Sequence, residues 1–326
     1  MTRLVLLAAL SLAGLKCIAP ALSQEWPSRP MTMIVPFAAG GPADTVARIL
    51  VPRLSELLGQ QIVIENVGGS GGMSGSLRVA KAAPDGYQFV LGNMGTHAAN
   101  QTFYKAPLYN AATDFTPVIL IARTPLVLLA RKDLPANDLP EFIAYAETNQ
   151  AAMQYGSGGP GSASHLACAL LNSAIGVTVT HVPYRGAAPA MQDLIAGRID
   201  YQCPDTPIAI PQINSGTIKA IAVLTRERSP GLPDQPSAHE QGLIDFDAAN
   251  WFALFLPKGA SPMIVEKLRA ATDATISAAA VRLRMQEVGA DLTGHERRSP
   301  SYLQKFVEHE IQKWAAPIKA GGISMD

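Results

Sequence analysis

The stretch of sequence that decides the fold is MTMIVPFAAGGPADTVARILVPRLSELL, at residues 31–58. Its first part, from Met31 to Phe37, is an apolar run of the length of a buried strand. A glycine-rich turn follows, and Pro42 then marks the first turn of a helix, where its fixed φ is favourable. Apolar residues recur behind Pro42 at helical spacing until Gly59. A strand that leads through such a turn into an amphipathic helix is typical of an α/β protein.

The same alternation of short apolar runs and amphipathic segments continues along the chain. It predicts mainly parallel sheets covered by helices on both faces. Two long β-prone runs, Ile119–Arg131 and Trp251–Pro257, are candidates for strands that cross between two lobes. We therefore expect a first lobe at 24–124 plus 251–326 and a second lobe at 125–250.

The first 23 residues have the pattern of a cleavable export signal. Arg3 supplies a positive charge, an apolar run from Leu4 to Leu15 follows, and the small residues Ala21 and Ser23 permit cleavage after Ser23. The apolar run is shorter than the roughly 20 residues that span a bilayer, which argues against a membrane anchor. Lys16 before Cys17 argues against lipid attachment. The sequence thus predicts an exported, periplasmic protein.

Charge composition argues against a nucleic-acid partner. The chain has 26 basic and 26 acidic residues and no run of Lys or Arg, so the electrostatic footprint of a nucleic-acid-binding protein is missing. We expect a monomer without a cofactor. Cys168 and Cys203 carry no metal-binding spacing; an exported protein permits a disulfide between them, and two buried thiols are the alternative.

No motif for catalysis stands out. The sequence around Ser157 lacks the Gly-x-Ser-x-Gly spacing of a nucleophile elbow, and the six histidines show no metal-ligand spacing. Ser162 with His165 is the one local pair that could serve an exported hydrolase or transferase. We therefore expect no enzyme, no catalytic residue and no metal site.

Glycine- and serine-rich turns that precede helices are the strongest binding signal. They are Pro36–Thr45, Gly156–Ser164 and Asn93–His97. Glycines let backbone N–H groups approach a ligand, and a helix start adds partial positive charge, so such turns favour a carboxylate or phosphate. A single turn of this kind is better explained as a helix cap, whereas several such turns together favour a binding site.

Several motifs, in this order, resemble the Bug-type receptors of tripartite tricarboxylate transporters. They are Trp26–Pro30, Ile34–Gly41, Ala82–Tyr87, Asp114–Val118, Gly161–Leu166, His181–Gly186 and Leu194–Asp200. The resemblance implies a two-lobed, periplasmic-binding-protein-like fold of type II that closes on its ligand. It also implies a small organic carboxylate, such as a di- or tricarboxylate, an aromatic acid or an amino acid, and two membrane transporter subunits as partners.

The candidate ligand-binding residues combine the turns with this resemblance. They are Phe37, Ala39, Gly40, Gly41, Asp44, Thr96, Ser157, Ser162, Ala163, Tyr184 and Asp205. The chain departs from the family pattern at Ala163, where a serine is frequent, and in the run around Asp205. Asp205 either meets an amine, hydroxyl or protonated group of the ligand or forms a turn. Arg185 either pairs with a distal acid or is solvated. A receptor that signals to a membrane kinase remains the alternative function.

Overall fold

The computed structural model describes residues 25–323. The predicted export signal, including Cys17, lies outside the described residues. Two β-sheets organise the chain. The first has six strands in the order β11-β4-β10-β3-β1-β2, and we call the part built on it the first lobe. Its strands are β1 (Met31–Val35), β2 (Ile62–Asn66), β3 (Gln88–Asn93), β4 (Phe115–Pro125), β10 (Ala249–Pro257) and β11 (Asp291–Leu292).

The second sheet has five strands in the order β7-β6-β8-β5-β9, and we call the part built on it the second lobe. Its strands are β5 (Val127–Arg131), β6 (Gln154–Ser157), β7 (Thr180–Pro183), β8 (Tyr201–Gln202) and β9 (Ile218–Val223). The chain passes from the first sheet to the second at Leu126, between β4 and β5, and returns where β10 begins at Ala249.

Both sheets are mixed, so the expected parallel pairing holds for only part of each. β1 pairs in parallel with β2 and β3, and β6 pairs in parallel with β7 and β8. The strands β4, β5 and β10, which adjoin the two crossings, form antiparallel pairs instead. A strand that enters a sheet from another lobe is free of the right-handed helical crossover that makes consecutive strands parallel.

Helices surround the two sheets. They are α1 (Pro42–Leu58), α2 (Met73–Ala80), α3 (Asn100–Phe103), α4 (Leu139–Asn149), α5 (Ala163–Ala174), α6 (Ala187–Ile195), α7 (Thr206–Asn214), α8 (Pro262–Ser277), α9 (Ala279–Glu287) and α10 (Pro300–Ala320). Pro42 is the first residue of α1, and Gly59 ends it in a left-handed conformation, as the sequence predicts.

β10 is the most deeply buried strand of the first lobe. Every one of its residues is buried, including Trp251, Phe252 and Phe255. Burying each large aromatic side chain contributes roughly 2–3 kcal/mol. We therefore expect β10 to be rigid at the point where the lobes join. Within residues 25–323, no helix is both long and apolar enough to cross a membrane.

Cys168 and Cys203 are joined by a disulfide, with their Cα atoms 5.5 Å apart. The bond links α5 to the segment that follows β8. Of the two alternatives that the sequence leaves open, a disulfide and two buried thiols, the structure has the disulfide. Both cysteines are fully buried in the second lobe.

Candidate functional site

A small cavity lies where the two lobes meet. Its volume is about 20 Å³, which is room for about one water molecule. Residues of both lobes line it: Phe37, Pro42, Ala43, Asn93, Gly158, Ser162, Ala163, Ser164, Ala187, Asp205 and Phe252. The lobes are therefore closed on each other.

Four helices begin at this cavity. Lining residues include the first residues of α1, α5 and α6 and the N-cap residue of α7, Asp205. The first N–H groups of a helix have no partner within it, and the aligned peptide dipoles place about half a positive charge there. Converging helix starts therefore favour an anion in this cavity.

The start of α5 is held in shape by serine side chains. Ser162 Oγ accepts a hydrogen bond from the His165 backbone N–H at 3.3 Å, which caps the helix. Ser164 Oγ accepts from the Gly158 N–H at 2.9 Å. These bonds fold the turn predicted at Gly156–Ser164 around the helix start, so that Ser162, Ala163 and Ser164 all line the cavity.

The turn before α1 is held by Asp44. Its carboxylate accepts hydrogen bonds from Arg48 at 2.7 Å, the Gly40 N–H at 2.9 Å and Asn66 Nδ2 at 3.1 Å. Burial opposes ionisation of Asp44, but these bonds together keep its pKa below the usual value. Asp44 thus shapes the Phe37–Gly41 turn, while Phe37, Pro42 and Ala43 line the cavity.

Asn93 and Thr96 form one unit at the end of β3. Asn93 Oδ1 accepts hydrogen bonds from the Thr96 N–H at 2.9 Å and from Thr96 Oγ1 at 3.0 Å. Asn93 Nδ2 donates to none of residues 25–323, and Asn93 lines the cavity. Thr96, which is fully buried, therefore orients the Asn93 amide instead of lining the cavity itself.

Asp205 is a buried carboxyl at the junction of the lobes. Its Oδ1 accepts hydrogen bonds from Thr124 Oγ1 at 2.7 Å and from Asn250 Nδ2 at 2.6 Å. Burial raises the pKa of Asp205 to about 6, although both hydrogen bonds act in the opposite direction. No ion pair joins it to a cation of residues 25–323.

The structure brings four of the eleven candidates to the cavity wall: Phe37, Ser162, Ala163 and Asp205. The others lie around it. Ala39 and Gly40 are exposed, Gly41 caps α1, and the Tyr184 hydroxyl donates to Asp193 at 2.7 Å. Ser157 is fully buried against His181, with Ser157 Oγ and His181 Nε2 2.6 Å apart. Arg185 is exposed, and its backbone carbonyl accepts from the Ala38 N–H at 3.1 Å.

Sequence reasoning missed several residues of the wall, among them Asn93, Ser164, Ala187 and Phe252. Asn93 and Ser164 lie inside turns that the sequence singles out, so their polar side chains were an available signal. Phe252 lies in β10 with no local signal, because only the sheet order brings that strand beside β3.

The Ser162–His165 pair is not arranged for nucleophilic catalysis. Ser162 Oγ bonds to the backbone of His165, and the ring Nδ1 of His165 accepts from the Gly161 N–H at 3.2 Å. Burial, with a smaller contribution from His181, lowers the pKa of His165 to about 3. Ser162 is therefore a helix cap and His165 a buried support of the Gly161 turn.

Buried neutral histidines predict that acid destabilises the fold. Burial lowers the pKa values of His97 and His165 from 6.5 to about 3. The unfolded chain then binds more protons below pH 6.5, so this stability is complete above that pH and is lost as pH falls towards the folded pKa values. From pH 7 to pH 5, each of these two rings removes about 2 kcal/mol, and the half-buried His181, whose pKa burial lowers to about 4, removes up to about 2 kcal/mol more. Asp205, which becomes protonated in the folded state, returns about 1 kcal/mol.

The net loss in unfolding free energy is thus about 3–5 kcal/mol. Urea unfolding at constant ionic strength across this pH range measures it. A free energy that is equal or larger at pH 5 would show that the buried rings accept protons in the folded state.

The chain is similar to known extracytoplasmic receptors over most of its length. A sequence model of the tripartite tricarboxylate transporter family receptors matches residues 46–323. The structure of the periplasmic binding protein BugD is 37% identical, with a TM-score of 0.89, and the match covers 92% of this chain and 100% of that chain.

Two solved structures from Rhodopseudomonas palustris hold a bound acid. MatC, solved with malate, is 41% identical with a TM-score of 0.87, covering 90% of this chain and 99% of MatC. A second protein, solved with adipate, is 38% identical with a TM-score of 0.87, covering 92% of this chain and 99% of that one. The fold predicted from the sequence is therefore confirmed.

Proposed function

The chain belongs to the tripartite tricarboxylate transporter receptor family, and we propose from this premise that it captures a small organic carboxylate in the periplasm and delivers it to the membrane subunits of such a transporter. The observation that carries the proposal is the convergence of four helix starts on one buried cavity between the lobes. Among the described residues, no lysine, arginine or histidine lines the cavity. Backbone dipoles and N–H groups would therefore hold the carboxylate.

The bound acids of the relatives support a small carboxylate as the ligand. MatC holds malate and the second Rhodopseudomonas palustris protein holds adipate. The two acids differ in length and in the presence of a hydroxyl group. Family membership thus indicates a carboxylic acid but leaves the rest of the ligand to be decided by the residues of this cleft.

Ligand entry would require the lobes to separate. A cavity of about 20 Å³ is far smaller than the hundreds of Å³ of typical ligand pockets. Within residues 25–323, two crossings carry the chain between the sheets, at Leu126 and at the start of β10. Rotation about these crossings would open and close the cleft as a hinge.

Thermal-shift screening with a panel of carboxylates tests the proposal. A ligand that binds only the folded state raises the melting temperature, by an amount that grows with its concentration relative to Kd. At least one carboxylate should raise it in a concentration-dependent manner. The proposal fails if none does so with folded protein.

A carboxylate built into the cavity should compete with the ligand. Ala163 is the first residue of α5 and lines the cavity, and a negative charge is favourable at a helix start. We expect Ala163→Asp to weaken the binding of the best acid about 100-fold, because two carboxylates would share one anion site.

The control is Ala163→Asn, which has nearly the same size without the charge. It should weaken binding about tenfold or less. Titration calorimetry measures both variants. Equal losses in the two would attribute the effect to volume and count against a helix-start anion site at Ala163.

A further inference from the structure

An acidic side chain such as Asp205 is unexpected on the wall of a cavity that favours an anion. It is the one acidic side chain on the cavity wall, and only 4% of the residue is exposed. A ligand carboxylate in the same cavity would meet a second negative charge at short range, which is unfavourable in a site of low dielectric. The hydrogen bonds of the Asp205 carboxyl indicate which group of a ligand it can bind.

One oxygen of Asp205 is fully engaged and the other is not. Oδ1 accepts hydrogen bonds from Thr124 in β4 and Asn250 in β10, at 2.7 Å and 2.6 Å. Asn250 is itself fixed, because its Oδ1 accepts the Met94 N–H at 3.1 Å. Oδ2 accepts no hydrogen bond from another residue of 25–323. The carboxyl is thus held rigidly by the first lobe while one acceptor oxygen stays available.

The hydrogen-bond donors on Oδ1 are an uncharged hydroxyl and an uncharged amide. No cation of residues 25–323 forms an ion pair with the carboxyl. A ligand that enters the cavity displaces water from the carboxyl, and a donor on the ligand would replace the hydrogen bond that water can make. An ammonium group would also neutralise the charge, and a hydroxyl would supply one neutral hydrogen bond.

We propose that Asp205 makes the cleft selective for carboxylic acids that carry a hydrogen-bond donor, a hydroxyl or an ammonium group, on the carbon next to the carboxylate. The donor has to be adjacent because Ser162, at the start of α5, and Asp205 border the same small cavity. The start of α5 favours the ligand carboxylate, and Asp205 on the same wall supplies an acceptor. This inference rests on the proposed function, since it assigns the class of acid to the same site.

Acids matched in carbon skeleton test the proposal. Succinate, malate and aspartate form one set, glutarate, 2-hydroxyglutarate and glutamate a second, and 3-phenylpropionate, 3-phenyllactate and phenylalanine a third. In each set the first acid lacks the donor, the second has a hydroxyl and the third an ammonium group. Titration calorimetry at pH 7.5 should give, in the set that binds tightest, about 100-fold tighter binding for a donor-bearing acid than for the plain acid.

Asp205→Asn should abolish this preference. The asparagine Oδ1 can still accept from Thr124 and Asn250, whereas its Nδ2 presents a donor to the cavity in place of an acceptor. We expect the plain acid to bind the variant at least as tightly as its donor-bearing analogue. The matched control is Glu310→Gln. Glu310 lies on α10, away from the cavity, and its buried carboxylate accepts hydrogen bonds from the Trp251 and Trp314 side chains. This variant should keep the wild-type preference.

The outcomes separate this inference from the proposed function. A wild-type protein that binds carboxylates but prefers the plain acid, or shows no preference, overturns the role of Asp205 and leaves carboxylate capture standing. The same conclusion follows if Asp205→Asn folds and keeps the donor preference, or if only acids outside the matched sets bind. Failure of every carboxylate overturns the proposed function itself.

Discussion

Replacing Gly68 with valine is expected to weaken ligand binding about 1,000-fold while leaving the unliganded fold intact. Gly68 follows β2 in the first lobe, and a Cβ placed there would lie 2.7 Å from the Arg185 carbonyl oxygen of the second lobe. A backbone carbonyl cannot rotate away as a flexible side chain can. The lobes would have to stay apart, and the ligand would lose the helix starts that the second lobe contributes.

The Gly68 backbone itself tolerates a side chain, because its φ lies outside the left-handed region. Gly216 provides the opposite case and serves as the control. Its φ of 67° strains any side chain, but a Cβ there meets no atom within 4 Å. Gly216→Ala should lower the unfolding free energy by about 1 kcal/mol and leave the affinity unchanged.

Calorimetry with the best acid from the carboxylate panel measures the affinity, and small-angle scattering measures closure. Wild-type protein should contract when the acid is added, and Gly68→Val should not. If Gly68→Val contracts and binds within tenfold of wild type, the close approach of the lobes at Gly68 has no part in capture.

Backbone groups take part directly in the closed contact between the lobes. The Ala38 N–H donates to the Arg185 carbonyl at 3.1 Å, and the Tyr104 hydroxyl donates to the Pro160 carbonyl at 2.8 Å. A Cβ at Gly186 would lie 2.9 Å from the Ala38 nitrogen. Glycines at these positions therefore act by letting two main chains approach, in addition to any flexibility they give to turns.

The difference between contacts within one lobe and contacts between the lobes explains which site residues the sequence could predict. Residues of the turns at Pro36–Thr45 and Gly156–Ser164 line the cavity, and the sequence indicates both turns because a strand followed by a glycine-rich turn and a helix is a local pattern. Which residue of each turn faces the cavity depends on where the other lobe lies. Gly40 shows this: its N–H is turned to Asp44 at 2.9 Å, and the residue is exposed.

The environment of Asp205 lay beyond sequence reasoning for a related reason. Its partners Thr124 and Asn250 are distant in sequence, and they come together only because β4 and β10 pair in the first sheet, with Thr124 opposite Asn250. The pattern of apolar residues predicts both strands but not their neighbours. The antiparallel pairing at the lobe crossings was missed for the same reason.

Removal of the disulfide should have the largest effect on stability. Cys168 and Cys203 are separated by 35 residues, and in the chain-entropy account a loop of that length constrains the unfolded chain by about 4 kcal/mol. The double variant Cys168→Ala, Cys203→Ala is therefore expected to lose about 4 kcal/mol of unfolding free energy, or about 6 °C in melting temperature for a chain of this size.

The double variant should still fold, because Tyr201 Oη donates to Asn172 Oδ1 at 2.6 Å and so joins β8 to α5 independently of the disulfide. Urea unfolding of the wild type with and without a reducing agent provides the matched comparison, since reduction removes the cross-link without deleting the sulfur atoms. A loss below about 1 kcal/mol in both experiments would mean that the unfolded chain is already compact in this segment.

Cys203 lies two residues before Asp205, so a bond to α5 also fixes the segment that presents Asp205 to the cavity. The acid preference of the double variant, measured at a temperature where it is fully folded, should therefore be weaker than that of the wild type without being lost, because the carboxylate and its bonds to Thr124 and Asn250 remain.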